Sequence, residues 1–252
     1  MKKLLTLLVI LLLVSVAYAK PDKGPLTKLT FVHYKAKPNM CGDGTCQGFE
    51  SPQSCPVDCG GEPDPEPTPD PCYTFLAEGM RWKQPVYYVI NPTNSGLATA
   101  FVKTAISDAA AAWDSHIPVD MFLSYSLDST ANWDSKYRDG NNELVFGNYK
   151  KRGVIAVTNI WGYFSGPVET REIVEFDILF DTDFTWGDAK VNSNIMDLQN
   201  IATHEFGHGL GLGDLYSSDC TAETMYGYST EGDTAKRDLN AGDIEGIQKL
   251  YS

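Results

Sequence analysis

The residues best suited to carry out chemistry lie in one segment, which reads HEFGHGLGLGD over residues 204–214. His204 and His208 are four positions apart, so on an α-helix their imidazoles share one face, about 5–6 Å apart, and can bind one ion. Zinc accepts imidazole nitrogens at about 2.0–2.1 Å. Glu205 is poorly placed to coordinate that ion but can reach a water molecule bound to it. The segment therefore predicts a metal site with a carboxylate base beside it.

A catalytic zinc site needs a third protein ligand and one open position. Only two histidines, His33 and His116, lie elsewhere in the chain. A glycine follows at position 211, and glycine adopts positive φ at little cost, which lets a helix stop and the chain reverse. Such a reversal would bring Asp214 back toward the metal, whereas Asp219 is a competing carboxylate at an unsuitable spacing.

This pattern resembles that of the metzincin metallopeptidases, and within them the matrixins. The family motif HExxHxxGxx is followed by a third ligand that is usually His and in some members Asp. The positions that fall on this motif in register are His204, Glu205, His208, Gly211 and Asp214. Residues 223–228, ETMYGY, are similar to the family's methionine turn, and the final LNAGDIEGIQKLYS is similar to its C-terminal helix. The resemblance covers residues 82–252.

The resemblance implies an α+β fold of the zincin type, in which a twisted mixed sheet packs with about three helices. It implies one catalytic zinc ion held by His204, His208 and Asp214. It also implies hydrolysis of peptide bonds, in which Glu205 deprotonates a zinc-activated water molecule and passes the proton to the leaving amine. The expected partner is a peptide or protein substrate, and the chain is expected to be a monomer.

The residues near the methionine turn have more than one interpretation. In the family the residue at the position of Met225 forms an apolar floor and is not a ligand. Tyr228 or Tyr226 could donate a hydroxyl to the transition state, although packing is the simpler role. A calcium ion could be held by Asp181, Asp183 and Asp188, as is common in similar domains, or these acids could form a solvated turn.

Two features depart from the family. An aspartate at position 214 lowers the net charge of the site from +2 to +1, which weakens the Lewis acid. Residues 20–40 contain no cysteine, so the sequence does not support latency through a thiol in the leader.

The elements that must position these residues follow from local patterns. Helices are predicted over residues 97–114, over about 194–210 and from about 240, and Asn94 or Ser95 can cap the first. Strands are predicted at 85–90, 143–147, 153–158 and 172–180. The last strand alternates, with Val174, Phe176, Ile178 and Phe180 on one face and Glu175 and Asp177 on the other.

The N-terminus indicates export. Residues 1–19 combine a basic start, an apolar run and an Ala-Tyr-Ala end, which together are typical of a cleaved signal peptide. A membrane anchor is the alternative, but the run is short for a bilayer. We therefore expect a secreted, extracellular protein with no membrane association after cleavage. Residues 20–40 are basic and weakly patterned, and we interpret them as a leader in which His33 is solvated.

Six cysteines follow the cleavage point, and in an oxidising compartment they are expected to form disulfides. A small module over residues 41–59 contains Cys41, Cys46, Cys55 and Cys59. It could be a disulfide knot or a calcium site. A zinc site with four thiolates is the weakest alternative, because cysteines of exported proteins usually form disulfides. The linker GGEPDPEPTPDP over 60–71 favours an extended spacer. It is followed by the domain at 72–252, in which Cys72 and Cys220 are predicted to pair; alternatively, one of them is free or pairs into the module.

Composition sets the remaining limits. The chain has 252 residues, 42% of them hydrophobic, so it can form a substantial core. Its formal net charge of −13 argues against nucleic acid as a partner. One rival function is a catalytically silent extracellular metal-binding or adhesion protein that keeps the metzincin fold. An intact Glu205 argues against that rival.

Overall fold

The computed structural model describes residues 22–36, 46, 59, 71–134 and 136–252. The predicted signal peptide, Cys41, Cys55 and most of the linker lie outside the described residues. Within the described part of the chain, no helix is both long enough and apolar enough to cross a bilayer.

Within the described residues, seven strands form one mixed sheet: β1 (Leu26–Lys35), β2 (Val86–Ile90), β3 (Phe122–Leu127), β4 (Glu143–Gly147), β5 (Val154–Tyr163), β6 (Glu172–Asp181) and β9 (Tyr228–Ser229). Their order across the sheet is β3-β2-β4-β6-β5-β1-β9. β7 (Trp186–Gly187) and β8 (Met196–Asp197) form a separate pair. β2, β3, β4 and β6 pair in parallel, whereas β5 is antiparallel to both of its neighbours.

From residue 71 onward, the described structure contains three α-helices beside the sheet: α1 (Thr99–Asp114), α2 (Leu198–Leu210) and α3 (Ala241–Tyr251). The N-cap of α1 is Ala98, which makes no side-chain cap, so the prediction that Asn94 or Ser95 caps this helix is wrong. The α2 helix starts later than predicted because Asp197 is its N-cap and accepts a hydrogen bond from the Asn200 N–H. The two partners of a capping box, Asn240 and Asp243, begin α3.

The core lies between the sheet and the helices α1 and α2. The Trp113 indole of α1 donates a hydrogen bond of 2.7 Å to the Thr203 carbonyl of α2. Phe206 of α2 packs edge-on against Phe176 of β6, with ring centroids 5.9 Å apart. All four residues are buried, so the face of the sheet that carries Phe176 holds α2 in place. These features confirm the α+β fold with a mixed sheet and three helices.

The side chains of β6 alternate between the two faces of the sheet largely as predicted, with one change of register. A bulge lies opposite Trp161 and Gly162 of β5 and shifts the pairing at the start of β6. As a result Ile173, rather than Val174, is fully buried with the core. Glu175 and Asp177 lie on the opposite face, as expected, but they are buried and not solvated.

The N-terminal strand β1 is the main difference from the sequence analysis, which assigns residues 20–40 to a leader. Residues Leu26–Lys35 pair with β5 from Leu26 opposite Tyr163 to Tyr34 opposite Val154. The expectation that His33 is solvated is wrong, since His33 is 1% exposed. The physical reason is nonlocal: β1 gains its hydrogen-bond partners from a strand more than 100 residues away.

Two disulfides lie among the described residues. Cys72 and Cys220 are joined with an S–S distance of 2.04 Å, and Cys46 is joined to Cys59. The Cys72–Cys220 bond ties the start of the domain to the loop that precedes Met225.

Candidate metal centre

The α2 helix presents His204 and His208 as matched nitrogen donors. The Nδ1–H of His204 donates to the Thr224 carbonyl at 2.7 Å, and that of His208 donates to the Leu212 carbonyl at 2.9 Å. Each contact fixes the tautomer, because a proton on Nδ1 leaves the Nε2 lone pair free. Both imidazoles are therefore oriented by backbone carbonyls to bind a metal through Nε2.

Gly211 makes the reversal that brings in the third donor. It is the C-cap of α2, with φ at 112° in the left-handed region. An added Cβ would lie 2.6 Å from the Met80 carbonyl oxygen, so only glycine fits here. After this turn, Asp214 Oδ1 lies 3.2 Å from His204 Nε2 and 3.4 Å from His208 Nε2.

These distances fit one tetrahedral zinc ion. Bonds of about 2.0–2.1 Å at tetrahedral angles place neighbouring donor atoms about 3.4 Å apart. His204 Nε2 and Asp214 Oδ1 are buried and have no hydrogen-bond partner, and orphaned polar atoms of this kind need an explanation. Burial lowers the pKa of His204 to about 4. Although burial opposes it, the neighbouring His208 and His204 side chains hold the pKa of Asp214 well below its usual range, so the carboxylate is ionised and ready to coordinate.

Glu205 lies beside the three donors and is completely buried. Burial raises the pKa of its carboxyl group to about 7, which suits a group that must both accept and release a proton near neutral pH. The Thr158 hydroxyl of β5 donates to Oε2, while His33 Nδ1 lies 3.2 Å from Oε1. Spacing could not reveal these two neighbours, which are 47 and 172 residues from Glu205 in sequence.

Met225 lies under α2, against Gly207. A Cβ at Gly207 would lie 2.2 Å from the Met225 sulfur, so the missing side chain allows the close approach. The turn is held by Asp243 of α3, whose carboxylate accepts the N–H of Thr224 at 2.7 Å and that of Met225 at 3.1 Å. The same turn supplies the Thr224 carbonyl that orients His204, so α3 supports the metal donors indirectly.

Two more residues near the site were missed by sequence analysis. The Tyr216 hydroxyl donates to the second Asp214 oxygen, Oδ2, at 3.1 Å. Tyr216 is only two residues from Asp214, so its proximity in the chain is a signal that could have found it. Lys236 is buried and donates to the Tyr226 carbonyl, but no spacing pattern marks it. The Tyr228 ring packs against Tyr216, with centroids 5.5 Å apart.

A second polar cluster lies on the other face of β6. It consists of Asp134, Asp139, Glu143, Glu175 and Asp177, which supply two overlapping groups of carboxylates with oxygens within 4.8 Å of one another. Burial raises the pKa of Asp177 to about 9 and that of Glu143 to about 7. Glu143 Oε2 and Asp134 Oδ2 are buried without a hydrogen-bond partner.

The three acids that the sequence suggested for calcium behave differently. Asp188 forms an ion pair with Arg237, and Asp183 accepts a hydrogen bond from the Asn148 amide. The Asp183 N–H donates to Asp181 Oδ1 at 2.9 Å. The described structure does not bring the three together as a ligand group.

Comparison with known proteins gives a consistent result. A family model described as matrixin matches residues 81–252. Metalloendoproteinase 1 of Glycine max is 31% identical over 191 residues, which cover 71% of this chain and 55% of that protein. Matrilysin of Homo sapiens is 44% identical over 75 residues, covering 30% of this chain and 26% of that protein. Neutrophil collagenase of Homo sapiens is 29% identical over 164 residues, 65% of this chain and 32% of that protein. The chain thus spans about half or less of the length of these relatives.

Proposed function

The chain belongs to the matrixin family, and from this premise we propose that it is a secreted zinc-dependent endopeptidase. The observation that carries the proposal is the convergence of His204, His208 and Asp214, whose donor atoms match the spacing that zinc requires. The names of the relatives, which include a matrilysin and a collagenase, support a peptide or protein substrate. We expect a monomer.

The proposed chemistry assigns a role to each group near the donors. When bound, zinc supplies the Lewis acidity that polarises a peptide carbonyl and favours ionisation of a water molecule. Glu205 takes the proton of the attacking water and returns it to the leaving amine. Thr158 holds Oε2 by a hydrogen bond, so Oε1 is the oxygen that takes the proton. Tyr228 is our candidate for a hydroxyl that stabilises the oxyanion.

Calcium is the second ion that we propose, and its place is the acidic cluster rather than Asp181, Asp183 and Asp188. Hard oxygen donors without nitrogen or sulfur favour calcium or magnesium over zinc. The unpartnered and buried Glu143 Oε2 supports the assignment. A cation there would also offset the cost of keeping several carboxylates out of water.

The rival function is a silent binding protein with the same fold. A silent site has no need of a base, yet Glu205 is present, buried and beside the metal donors. The endopeptidase is therefore the better proposal.

The test compares the zinc-loaded wild type with Glu205→Ala. We expect both to contain one equivalent of zinc, whereas only the wild type should hydrolyse a peptide library, and phenanthroline should stop its activity. The variant should lose at least about a hundredfold in kcat/KM, because general base catalysis contributes about 10²–10⁴-fold. Equal and measurable turnover by both proteins, with the linker at 60–71 intact or cut, would remove Glu205 from the mechanism.

A further inference from the structure

The strand β1 lies beside the proposed metal donors, between β5 and β9. On one side it pairs antiparallel with β5, and on the other its end pairs in parallel with β9, where Tyr34 lies opposite Tyr228. The Ala36 N–H continues this contact with a hydrogen bond of 2.9 Å to the Ser229 carbonyl. β1 is therefore held between β5 and the segment that follows the methionine turn.

Two side chains of β1 cover the proposed zinc ligands. The Phe31 ring stacks on the His208 imidazole, with centroids 4.2 Å apart. The His33 ring lies against the His204 imidazole, with centroids 4.0 Å apart. These contacts place β1 over the donors that a reacting peptide would have to approach.

His33 also engages the catalytic base. Its Nδ1 lies 3.2 Å from Glu205 Oε1, which is the oxygen that the proposed mechanism needs for the proton of water. Because Thr158 already donates to the other oxygen, both oxygens of Glu205 have partners while β1 is in place.

We propose that β1 is an inhibitor built into the chain, which fills the peptide groove along β5 and blocks Glu205 through His33. This inference rests on the proposed function, since it deepens the account of the same site. Removal of β1 leaves β5 as an edge strand with unpaired N–H and C=O groups, onto which an extended peptide can add as a new strand. The inhibitor and the substrate therefore compete for one surface, and no leader thiol is required.

In this proposal, β1 is held by noncovalent contacts and by its chain connection to the domain, so a cut in that connection ends the inhibition. β1 lies outside the region matched by the family model and contains no cysteine. Its described links to the domain are noncovalent, including an ion pair between Lys35 and Glu231. The intact chain keeps β1 at a high effective concentration beside its groove. A cut in the linker at 60–71 removes this advantage, so that β1 can dissociate.

The experiment uses the full zinc-loaded chain and two kinds of release. In the first, Phe31→Asp and His33→Ala are combined to weaken the contacts of β1, and Leu26→Ala, at an exposed position of the same strand, is the matched control. In the second, a recognition sequence for a site-specific protease is inserted in the linker, and the chain is assayed before and after cutting. The readouts are kcat/KM on a peptide and the affinity for a fluorescent peptide hydroxamate, whose binding needs the groove and metal but no turnover.

We expect the double variant and the cut chain to bind the probe at least about tenfold more tightly than the intact wild type, with a similar rise in kcat/KM. Leu26→Ala should stay within about twofold of the wild type. Tighter probe binding without hydrolysis would support β1 as an inhibitor but remove the proposed endopeptidase activity. Equal probe binding by the intact chain, the cut chain and the double variant would overturn the inhibitor, even if all three hydrolyse peptides equally.

Discussion

Among the described residues, the candidate metal centre and the acidic cluster lie on opposite faces of the sheet and differ in their donor atoms. The metal centre joins two imidazole nitrogens to one carboxylate, whereas the acidic cluster offers carboxylate oxygens alone. Both contain buried oxygen or nitrogen atoms without a hydrogen-bond partner. The difference in donor atoms is what separates the two proposals: nitrogen donors with one carboxylate favour zinc, whereas oxygen donors alone favour calcium.

The clusters also differ in how the backbone prepares them. The carbonyl oxygens of Thr224 and Leu212 accept hydrogen bonds from the Nδ1–H groups of the two histidines. Each Nε2 therefore keeps a neutral lone pair that can bind a metal. In the acidic cluster, backbone N–H groups of Asp134 and Glu143 donate to Asp177 at 3.1 Å. The first arrangement selects a tautomer, whereas the second only holds a carboxylate in place. We therefore expect mutations to have larger effects on ion binding at the metal centre.

The largest effect is expected from Asp214→Ala, which removes a zinc donor and leaves two imidazoles. Zinc affinity should fall by more than the about 10–100-fold that loss of an outer hydrogen-bond partner costs, since a catalytic zinc site needs three protein donors. Asp214→His should recover most of it because imidazole also suits zinc. Competition with a chelator measures the affinity, and Asp219→Ala is the control. Stoichiometric zinc in Asp214→Ala would show that the third donor lies elsewhere.

A smaller effect is expected when calcium is added to the acidic cluster. At about 100 times its dissociation constant, a bound ion adds about 2.7 kcal/mol to the free energy of unfolding, which raises Tm by several degrees in a domain of this size. Glu143→Gln should abolish the rise, whereas Asp120→Asn, at an exposed position, should keep it. Thermal unfolding with and without calcium provides the measurement. If Glu143→Gln responds to calcium as the wild type does, the ion binds at another place.

The next effect concerns the support of the metal centre. Asp243→Asn should weaken one of the two hydrogen bonds to the methionine turn and thus loosen the Thr224 carbonyl that orients His204. Changes of this kind cost about 10–100-fold in metal affinity, and we expect the lower end. Calcium binding should not change. Chelator competition on this variant and on Asp238→Asn would reveal any difference, and unchanged zinc affinity would show that α3 does not support the site.

The smallest effect is expected on the pH dependence of stability, through Asp114, whose carboxyl group belongs to neither cluster. Burial raises its pKa to about 6, above the value near 3.8–3.9 expected for an unfolded chain. Its contribution to stability is therefore complete below pH 4 and is lost as the pH rises through 6. Asp114→Asn should remove this dependence, so that Tm falls less between pH 4 and pH 6 than it does in the wild type, and should leave zinc and calcium binding unchanged. A pH dependence identical to that of the wild type would contradict the assignment.

The parts of the site that sequence analysis could predict share one property, which is closeness in the chain. His204, His208 and Asp214 lie within one helix and the turn after it, so spacing alone suggests that they meet. The four predicted strands were found because their apolar patterns are strong. The segment FLSYSL of β3 was missed because Ser124 and Ser126 interrupt its apolar character and most of its side chains are exposed.

The rest of the site depends on contacts that no local pattern encodes. Residues of β1 mix lysines, threonines and aromatics, and they form a strand only because β5 provides hydrogen-bond partners. His33 and Thr158 reach Glu205 from separate strands, and Lys236 lies in a short 3-10 helix, Ala235–Arg237, far from Glu205 in sequence. The burial of Glu175 and Asp177 also escaped prediction, because alternation identifies the face on which a residue lies but not what covers that face.

The disulfide between Cys72 and Cys220 has a practical consequence for the evolution and engineering of this molecule. It anchors the domain just downstream of the linker and next to the methionine turn. The segment between β1 and this disulfide can therefore be lengthened, shortened or given a new cleavage sequence while the positions of His204, His208 and Asp214 stay the same. In the proposed scheme, the release of β1 and the chemistry at the donors therefore depend on separate parts of the chain, and each can be changed alone.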